Sequence, residues 1–128
     1  MDDRKKVLIV DDEELAQDFL RFFLSKRFDV CTVGSVSTFY NVINKVDFDI
    51  ILMDISLRDS KDGIQLTKEL RESPRHKEIP IFVLTAFNTT KERISAETAG
   101  VNKFLTKPVD SKLLVKLIDE ALALKKNG

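Results

Sequence analysis

The sequence is short of the residues that build cross-links and soft metal sites. Its 128 residues include one cysteine, Cys31, and one histidine, His76. A lone cysteine excludes an internal disulfide and suits a reducing cytosol; within its strand, Cys31 reads as an inert buried thiol. A lone histidine in the polar segment SPRHKE reads as a loop residue, and is no credible metal cluster or phosphoryl donor. Charge of one sign is also missing. The 21 basic residues balance 21 acidic ones, so no basic stripe points to nucleic acid. No apolar run approaches the roughly 20 residues that span a bilayer. The N-terminal MDDRKK lacks the apolar core of a signal peptide. Repeats, low-complexity tracts and linkers are absent as well. What remains, 43% hydrophobic and 33% charged, is expected of one cytoplasmic globular domain over residues 1–128 with one sizeable core.

Short apolar runs alternate with longer amphipathic stretches. KKVLIV, residues 5–10, reads as a buried strand. From Glu13 to about Arg27, Leu15, Phe19, Phe22 and Phe23 recur at helical spacing and are expected in the core, as phenylalanines are by default. Val30 to Val33 reads as a second strand. Ser35 or Ser37 caps a helix reaching Lys45, with Phe39, Val42, Ile43 and Val46 on its stripe. DIILMDI (49–55) is a third strand, Asp62 to Glu72 a helix, and IPIFVLTA (79–86) a fourth strand with Pro80 near its start. Thr89 to Ala99 is a polar helix closed by Gly100. NKFLTKP supplies a fifth strand, and from Asp110 a last helix carries Leu114, Leu117, Ile118, Ala121 and Leu122. Strands this apolar require cover on both faces, which predicts a parallel sheet in a doubly wound α/β fold.

In such a sheet, functional groups collect at the carboxyl ends of the strands. Asp11, Asp12, Glu13 and Glu14 follow the first strand, Asp54 the third, Thr85 the fourth, and Lys107 with Pro108 the fifth. Each has a bland reading. Asp11 and Asp12 could cap a helix whose dipole Glu13 and Glu14 complement. Asp54 could be a solvated turn residue, Thr85 a strand-end cap and Lys107 a surface lysine. Their shared position on one edge outweighs those readings. Clustered carboxylates repel unless a cation relieves them, and a hard divalent ion such as Mg2+ takes carboxylate, water and phosphate oxygens. Lys107 adds positive charge and Thr85 a hydroxyl donor, a set that suits a phosphoryl group. A carboxylate nucleophile forms an acyl phosphate.

VLIVDDEE, ILMDISL, DGIQL, VLTA and FLTKP occur in the order, and near the spacing, of the receiver domain of two-component response regulators. The chain resembles that family over essentially its whole length. The resemblance implies a flavodoxin-like fold, a five-stranded parallel sheet in order 2-1-3-4-5 with five flanking helices. It implies that Asp54 accepts phosphate from a phosphohistidine on a histidine kinase or histidine phosphotransfer protein. It places Mg2+ on Asp12, Asp54 and the backbone carbonyl of Ser56, with Asp11 acting mostly through water. Lys107 would pair with the phosphoryl oxygens, and Thr85 would bond the phosphate and draw in the loop after the fourth strand. Phe104 matches an aromatic switch position, and the Lys107–Pro108 bond is expected to be cis. The implied protein is a switch that assists only its own phosphorylation and dephosphorylation through Asp54, Thr85 and Lys107. It would signal to a downstream partner or output domain through the fourth helix, fifth strand and fifth helix, and a phosphorylation-dependent homodimer belongs to the same expectations. The polar fourth helix, anchored chiefly by Ile94, fits a mobile element.

The loop ISLRDSKDG departs from the family. Arg58 stands where many relatives have proline, and the loop is about one residue longer before Gly63. A changed loop shape and changed kinase recognition are expected, with the acceptor site intact. Ser56 and Phe87 hold positions that tune phosphate lifetime, and Phe87 is expected to shield the acyl phosphate from water. Only KKNG follows the last helix, which fits a stand-alone regulator or a receiver cut from a longer chain. Three rivals compete. A Mg2+-dependent aspartyl-phosphatase would carry an acid where Ser56 stands. A flavin-binding domain would cradle phosphate with a Ser-, Thr- and Gly-rich first loop, where DDEE repels it. A degenerate receiver would act as a phosphorylation-independent interaction module, and the complete set of acids and lysine argues against it.

Overall fold

The structure, a computed structural model, describes residues 4–86 and 89–127. Strands and helices alternate strictly: β1 (Lys6–Val10), α1 (Glu14–Leu24), β2 (Asp29–Val33), α2 (Val36–Ile43), β3 (Ile50–Met53), α3 (Gly63–Glu72), β4 (Ile81–Thr85), α4 (Thr90–Ala99), β5 (Lys103–Thr106) and α5 (Ser111–Asn127). The strands form one parallel sheet in the order β2-β1-β3-β4-β5, as expected.

The central strands are apolar throughout because both of their faces are covered. Leu8, Val10, Ile51, Met53 and Ile81 point into one core with Phe39 and Ile43 of α2 and Leu66 and Leu70 of α3. Their strand neighbours Val7, Ile9, Ile50, Leu52, Phe82 and Leu84 point the other way, against Leu20 and Leu24 of α1 and Leu114 and Ile118 of α5. A smaller cluster, Ile55, Val83 and Ala96, seats α4 beside half-buried Phe104. Helix starts follow capping chemistry. Ser35 with Thr38, and Asp62 with Gln65, form reciprocal capping boxes, which decides between Ser35 and Ser37 as the cap of α2. Gly100 closes α4 in the left-handed region at φ 108°.

Parallel register sets the functional edge. Val10 pairs with both Val33 and Met53, Met53 with Val83, and Thr85 with Thr106. One step beyond these pairs lie Asp11, Asp54 and Lys107. At the opposite end of the sheet, Arg71 of α3 donates to the carbonyls of Gly100 (2.9 Å), His76 and Lys77 (both 3.2 Å) and to Asn102 Oδ1 (3.0 Å), tying α3 to the α4 C-cap.

Three expectations need correction: the core stripe of α1, the anchor of α4 and the burial of Cys31. The Leu15–Phe19–Phe22 stripe of α1 faces solvent, with exposures of 83%, 58% and 71%. The buried face is carried by Leu20 and Leu24, with Phe23 half buried, so α1 is apolar on two sides. Ile94 is likewise 58% exposed, and Ala96 and Ala99 anchor α4 instead. His76 lies in a turn but is buried. Its Nε2–H donates to the Ile43 carbonyl at 3.1 Å and its Nδ1 meets Ser73 Oγ at 3.2 Å, stapling the end of α2 to the turn after α3. Cys31 is half buried, and desolvation first, then the charge of Asp29, pushes its thiol up and away from the reactive thiolate.

Gly63 opens α3 directly against the end of β3. A methyl group there would lie 2.6 Å from the Asp54 carbonyl, 2.8 Å from Met53 Cγ and 2.9 Å from Ile55 Cα. Two of those neighbours are backbone, so α3 must retreat. Gly63→Ala is expected to lower stability by about 1–3 kcal/mol, read as a lower urea midpoint; an unchanged midpoint would show that the helix is not held so closely.

Candidate functional site

Asp11 and Asp54 follow β1 and β3 and make the same local turn. Each Oδ1 accepts the backbone N–H two residues on, from Glu13 (2.9 Å) and from Ser56 (2.8 Å). The Ser56 hydroxyl adds a second donor to Asp54 Oδ1 at 2.6 Å. These turns leave both Oδ2 atoms facing inward, where one ammonium meets them: Lys107 Nζ lies 2.8 Å from Asp11 Oδ2 and 3.2 Å from Asp54 Oδ2. Both aspartates are almost wholly buried and Lys107 is mostly enclosed. Burial alone would lower the Lys107 pKa; its hydrogen bond to Asp11 and the charges of Asp54 and Asp11 outweigh that and raise it.

The loop carrying Lys107 is fixed to β4. The Lys107 N–H donates to the Thr85 carbonyl at 2.8 Å, and the Lys107–Pro108 bond is cis, as expected. Thr85 is completely buried at the end of β4. Phe104, one strand away, lies under the Arg93 guanidinium of α4 at 4.7 Å from the ring centre. Phe87 lies outside the described residues.

Asp12 sits at the same edge, but its carboxylate turns to Arg58 of the β3–α3 loop. The rest of that loop is stitched down by charge. Asp59 accepts the Val36 N–H at the start of α2 (2.9 Å), which holds its carboxyl below the usual range, and Lys61 bonds Glu69 of α3 and Tyr40 of α2. The structure therefore brings Asp11, Asp54 and Lys107 into direct contact, sets Ser56 on Asp54, and holds Thr85 and Asp12 at the same edge. Sequence reasoning named Glu13, Ser56 and Arg58 but not their contacts: the Glu13 carboxylate beside Asp11 and Asp54, the Ser56 hydroxyl on Asp54 and Arg58 on Asp12. The Asp-x-Ser and Asp-x-Glu spacings were the available signal for the first two; a loop arginine carries none.

The donor set fits a hard divalent ion. Carboxylate oxygens of Asp11, Glu13 and Asp54 lie within 4.8 Å of one another, and all are oxygen ligands of the kind Mg2+ takes. One cationic neighbour against this many acids leaves room for further positive charge.

Compared with known proteins, residues 7–119 match the family described as the response regulator receiver domain. The chain belongs to that family. An uncharacterized protein of Leptolyngbya boryana is 30% identical over 115 residues, 89% of this chain and 87% of that protein. The response regulator protein PilR of Pseudomonas aeruginosa is 33% identical over 123 residues, covering 95% of this receiver but only 27% of PilR. Among solved structures, a response regulator receiver domain protein of Methanospirillum hungatei superimposes with a TM-score of 0.89 at 23% identity, over 98% and 99% of the two chains. The receiver domain of a Pseudomonas aeruginosa sensor histidine kinase, solved with magnesium in its active-site cleft, gives 0.85 at 26% identity over 94% and 98%. Receiver domains are signalling switches of two-component systems rather than conventional enzymes, and they work with histidine kinases or phosphotransfer proteins. Among the described residues no helix is long and apolar enough to cross a membrane.

Lys107→Met would leave two buried carboxylates without their shared cation. Stability at neutral pH, measured by urea unfolding without metal, is expected to fall by about 3–5 kcal/mol. Because the Lys107 pKa is raised on folding, its contribution is complete below the unfolded value of about 10.4 and fades as pH climbs through the folded one. The wild type should therefore lose more stability at alkaline pH than the variant, which lacks the Lys107 share.

Proposed function

We propose that Asp54 accepts a phosphoryl group from a phosphohistidine of a histidine kinase or phosphotransfer protein, in a Mg2+-dependent reaction, and that phosphorylation biases the α4–β5–α5 surface to control a partner or output domain. The observation that carries this is the convergence of Asp11, Asp54 and Lys107 at one sheet edge. An Asp54 oxygen attacks phosphorus, the P–N bond breaks, and its electron pair leaves on the imidazole nitrogen, which takes up a proton. Asp11, Asp12, Asp54 and the Ser56 carbonyl would hold Mg2+, which when bound would supply positive charge against the carboxylates and the phosphoryl oxygens. The magnesium in the related Pseudomonas receiver supports this assignment, and Glu13 is close enough to join through water.

Lys107 would move from the carboxylates onto the phosphoryl oxygens, and Ser56 would hold the oxygen of Asp54 that faces away from it, a reading supported by their present contacts. A hydroxyl bond from Thr85 to the phosphate would tighten the end of β4, and through it the neighbouring β5 and Phe104. The Arg93–Phe104 stack then passes that shift to α4. The absence of an acid at position 56 weighs against a phosphatase, and the intact acid–lysine constellation weighs against a degenerate interaction module.

The exposed face of α1 belongs to the same reading. Ala16, Phe19 and Leu20 line a pocket of about 340 Å3 with Leu84, Lys107, Pro108 and Val109, beside the acceptor. Any protein that presents a phosphohistidine to Asp54 must cover this rim, and an exposed apolar patch marks such a contact.

Two measurements test the proposal. Beryllofluoride with Mg2+ should bind the wild type and shift amide resonances of α4, β5 and α5, whereas Asp54→Asn should give neither response; no binding by the wild type would favour the interaction-module reading. Phe19→Asp should slow phosphotransfer from a phosphohistidine protein by about tenfold or more while phosphorylation by acetyl phosphate stays unchanged. Equal loss with both donors would show that α1 serves the fold and not the partner.

A further inference from the structure

Arg58 reaches across the site to Asp12 and holds a single oxygen twice. Its backbone N–H lies 3.2 Å from Asp12 Oδ2, and its guanidinium Nε–H donates to the same atom at 3.4 Å. The Asp12 side chain is 19% exposed, whereas that of Arg58 is 83% exposed, so the cation approaches from solvent. Asp12 is correspondingly absent from the carboxylate group gathered by Asp11, Glu13 and Asp54. With Lys107 on Asp11 and Asp54, each of the three aspartates at this edge already has an intramolecular cation.

The two cations differ in how easily they leave. Lys107 is enclosed and serves two acids at once. Arg58 serves one acid and can swing into water, giving up little buried contact. The contact is a single exposed ion pair, so a competing cation or screening salt loosens it. A divalent ion that takes Asp12 Oδ2 as a ligand must displace this guanidinium and then tolerate its positive charge nearby.

We infer that Arg58 is a positioning residue that competes with the divalent ion for Asp12, making metal entry a displacement and setting the affinity of the site. The inference rests on the reading of this edge as a Mg2+ site. It reverses the usual expectation for an arginine near a functional centre, because removing it should strengthen ligand binding. It also leaves a guanidinium free at the rim once the ion is bound, beside the position of an incoming phosphoryl dianion.

Isothermal titration of Mg2+ into the unphosphorylated wild type, Arg58→Gln and Arg58→Lys tests this. At low ionic strength Arg58→Gln is expected to bind Mg2+ about threefold to tenfold more tightly than the wild type. Arg58→Lys, which keeps the charge but not the Nε–H contact, should fall between them. The difference should narrow as salt rises, since an exposed pair is screened. A loop that needed Arg58 only for its shape would lose metal affinity, and metal-free melting of each variant reports that separately. Equal or weaker binding by both variants, with the wild type binding, overturns the role of Arg58 and leaves the metal site standing. No Mg2+ heat from the wild type or either variant overturns the metal site and this proposal with it.

Discussion

The ammonium of Lys107 lies between two carboxylates that the sheet cannot separate. Asp11 and Asp54 follow adjacent strands, and the pairing of Val10 with Met53 fixes them side by side. Asx turns to Glu13 and Ser56 then aim one oxygen of each at the same point. Burial makes their repulsion costly, and the nearest relief is a lysine nearly a hundred residues from Asp11 along the chain, delivered by the end of β5 and held to β4 by its own N–H. The acids, the lysine and Thr85 sit at ends of strands locked by hydrogen bonds, so on the proposed reading a charge added at Asp54 would be answered by Lys107 and by the β4–β5 edge.

Much of this was readable in the sequence because it depends on pattern. Uniformly apolar strands such as ILM and IFVL require two covered faces, and strict alternation with helices leaves a doubly wound sheet as the consistent arrangement. Once the strands are parallel, residues one step past them must meet, so Asp11, Asp54, Thr85 and Lys107 could be gathered without coordinates. What periodicity could not give was direction. On α1, Leu15, Phe19 and Phe22 share one face while Leu20 and Leu24 share another, and hydropathy does not say which meets the sheet. The fourth helix misleads for a related reason: its core contact is made by Ala96 and Ala99, small residues that close packing favours and that a search for large apolar side chains passes over.

Polar geometry was less legible still. His76 lies in a turn, as its charged neighbours suggest, but nothing in the sequence shows that its ring is buried between Ser73 and the Ile43 carbonyl. The partners of Arg58, Asp59 and Lys61 come from three other elements, so no local spacing announces them. Charge at these positions reads as solvated surface until the tertiary structure supplies the carboxylate, the helix N-terminus or the Glu69–Tyr40 pair on the other side.

Gly63 and Ile55 close the β3–α3 connection at its base. The Gly63 N–H approaches the Ile55 carbonyl at 3.4 Å, so the loop leaves the sheet and returns to it at almost the same point. A segment closed at its base contributes its length only as loop entropy, which rises by about 0.6 kcal/mol per doubling. The connection is thus held at its base by this bond and along its length by the contacts of Arg58, Asp59 and Lys61 with Asp12, Val36 and Glu69. Arg58 is exposed on the face of this loop and also touches Asp12, so an exchange there reaches both the surface the loop presents and the acidic edge beside Asp54.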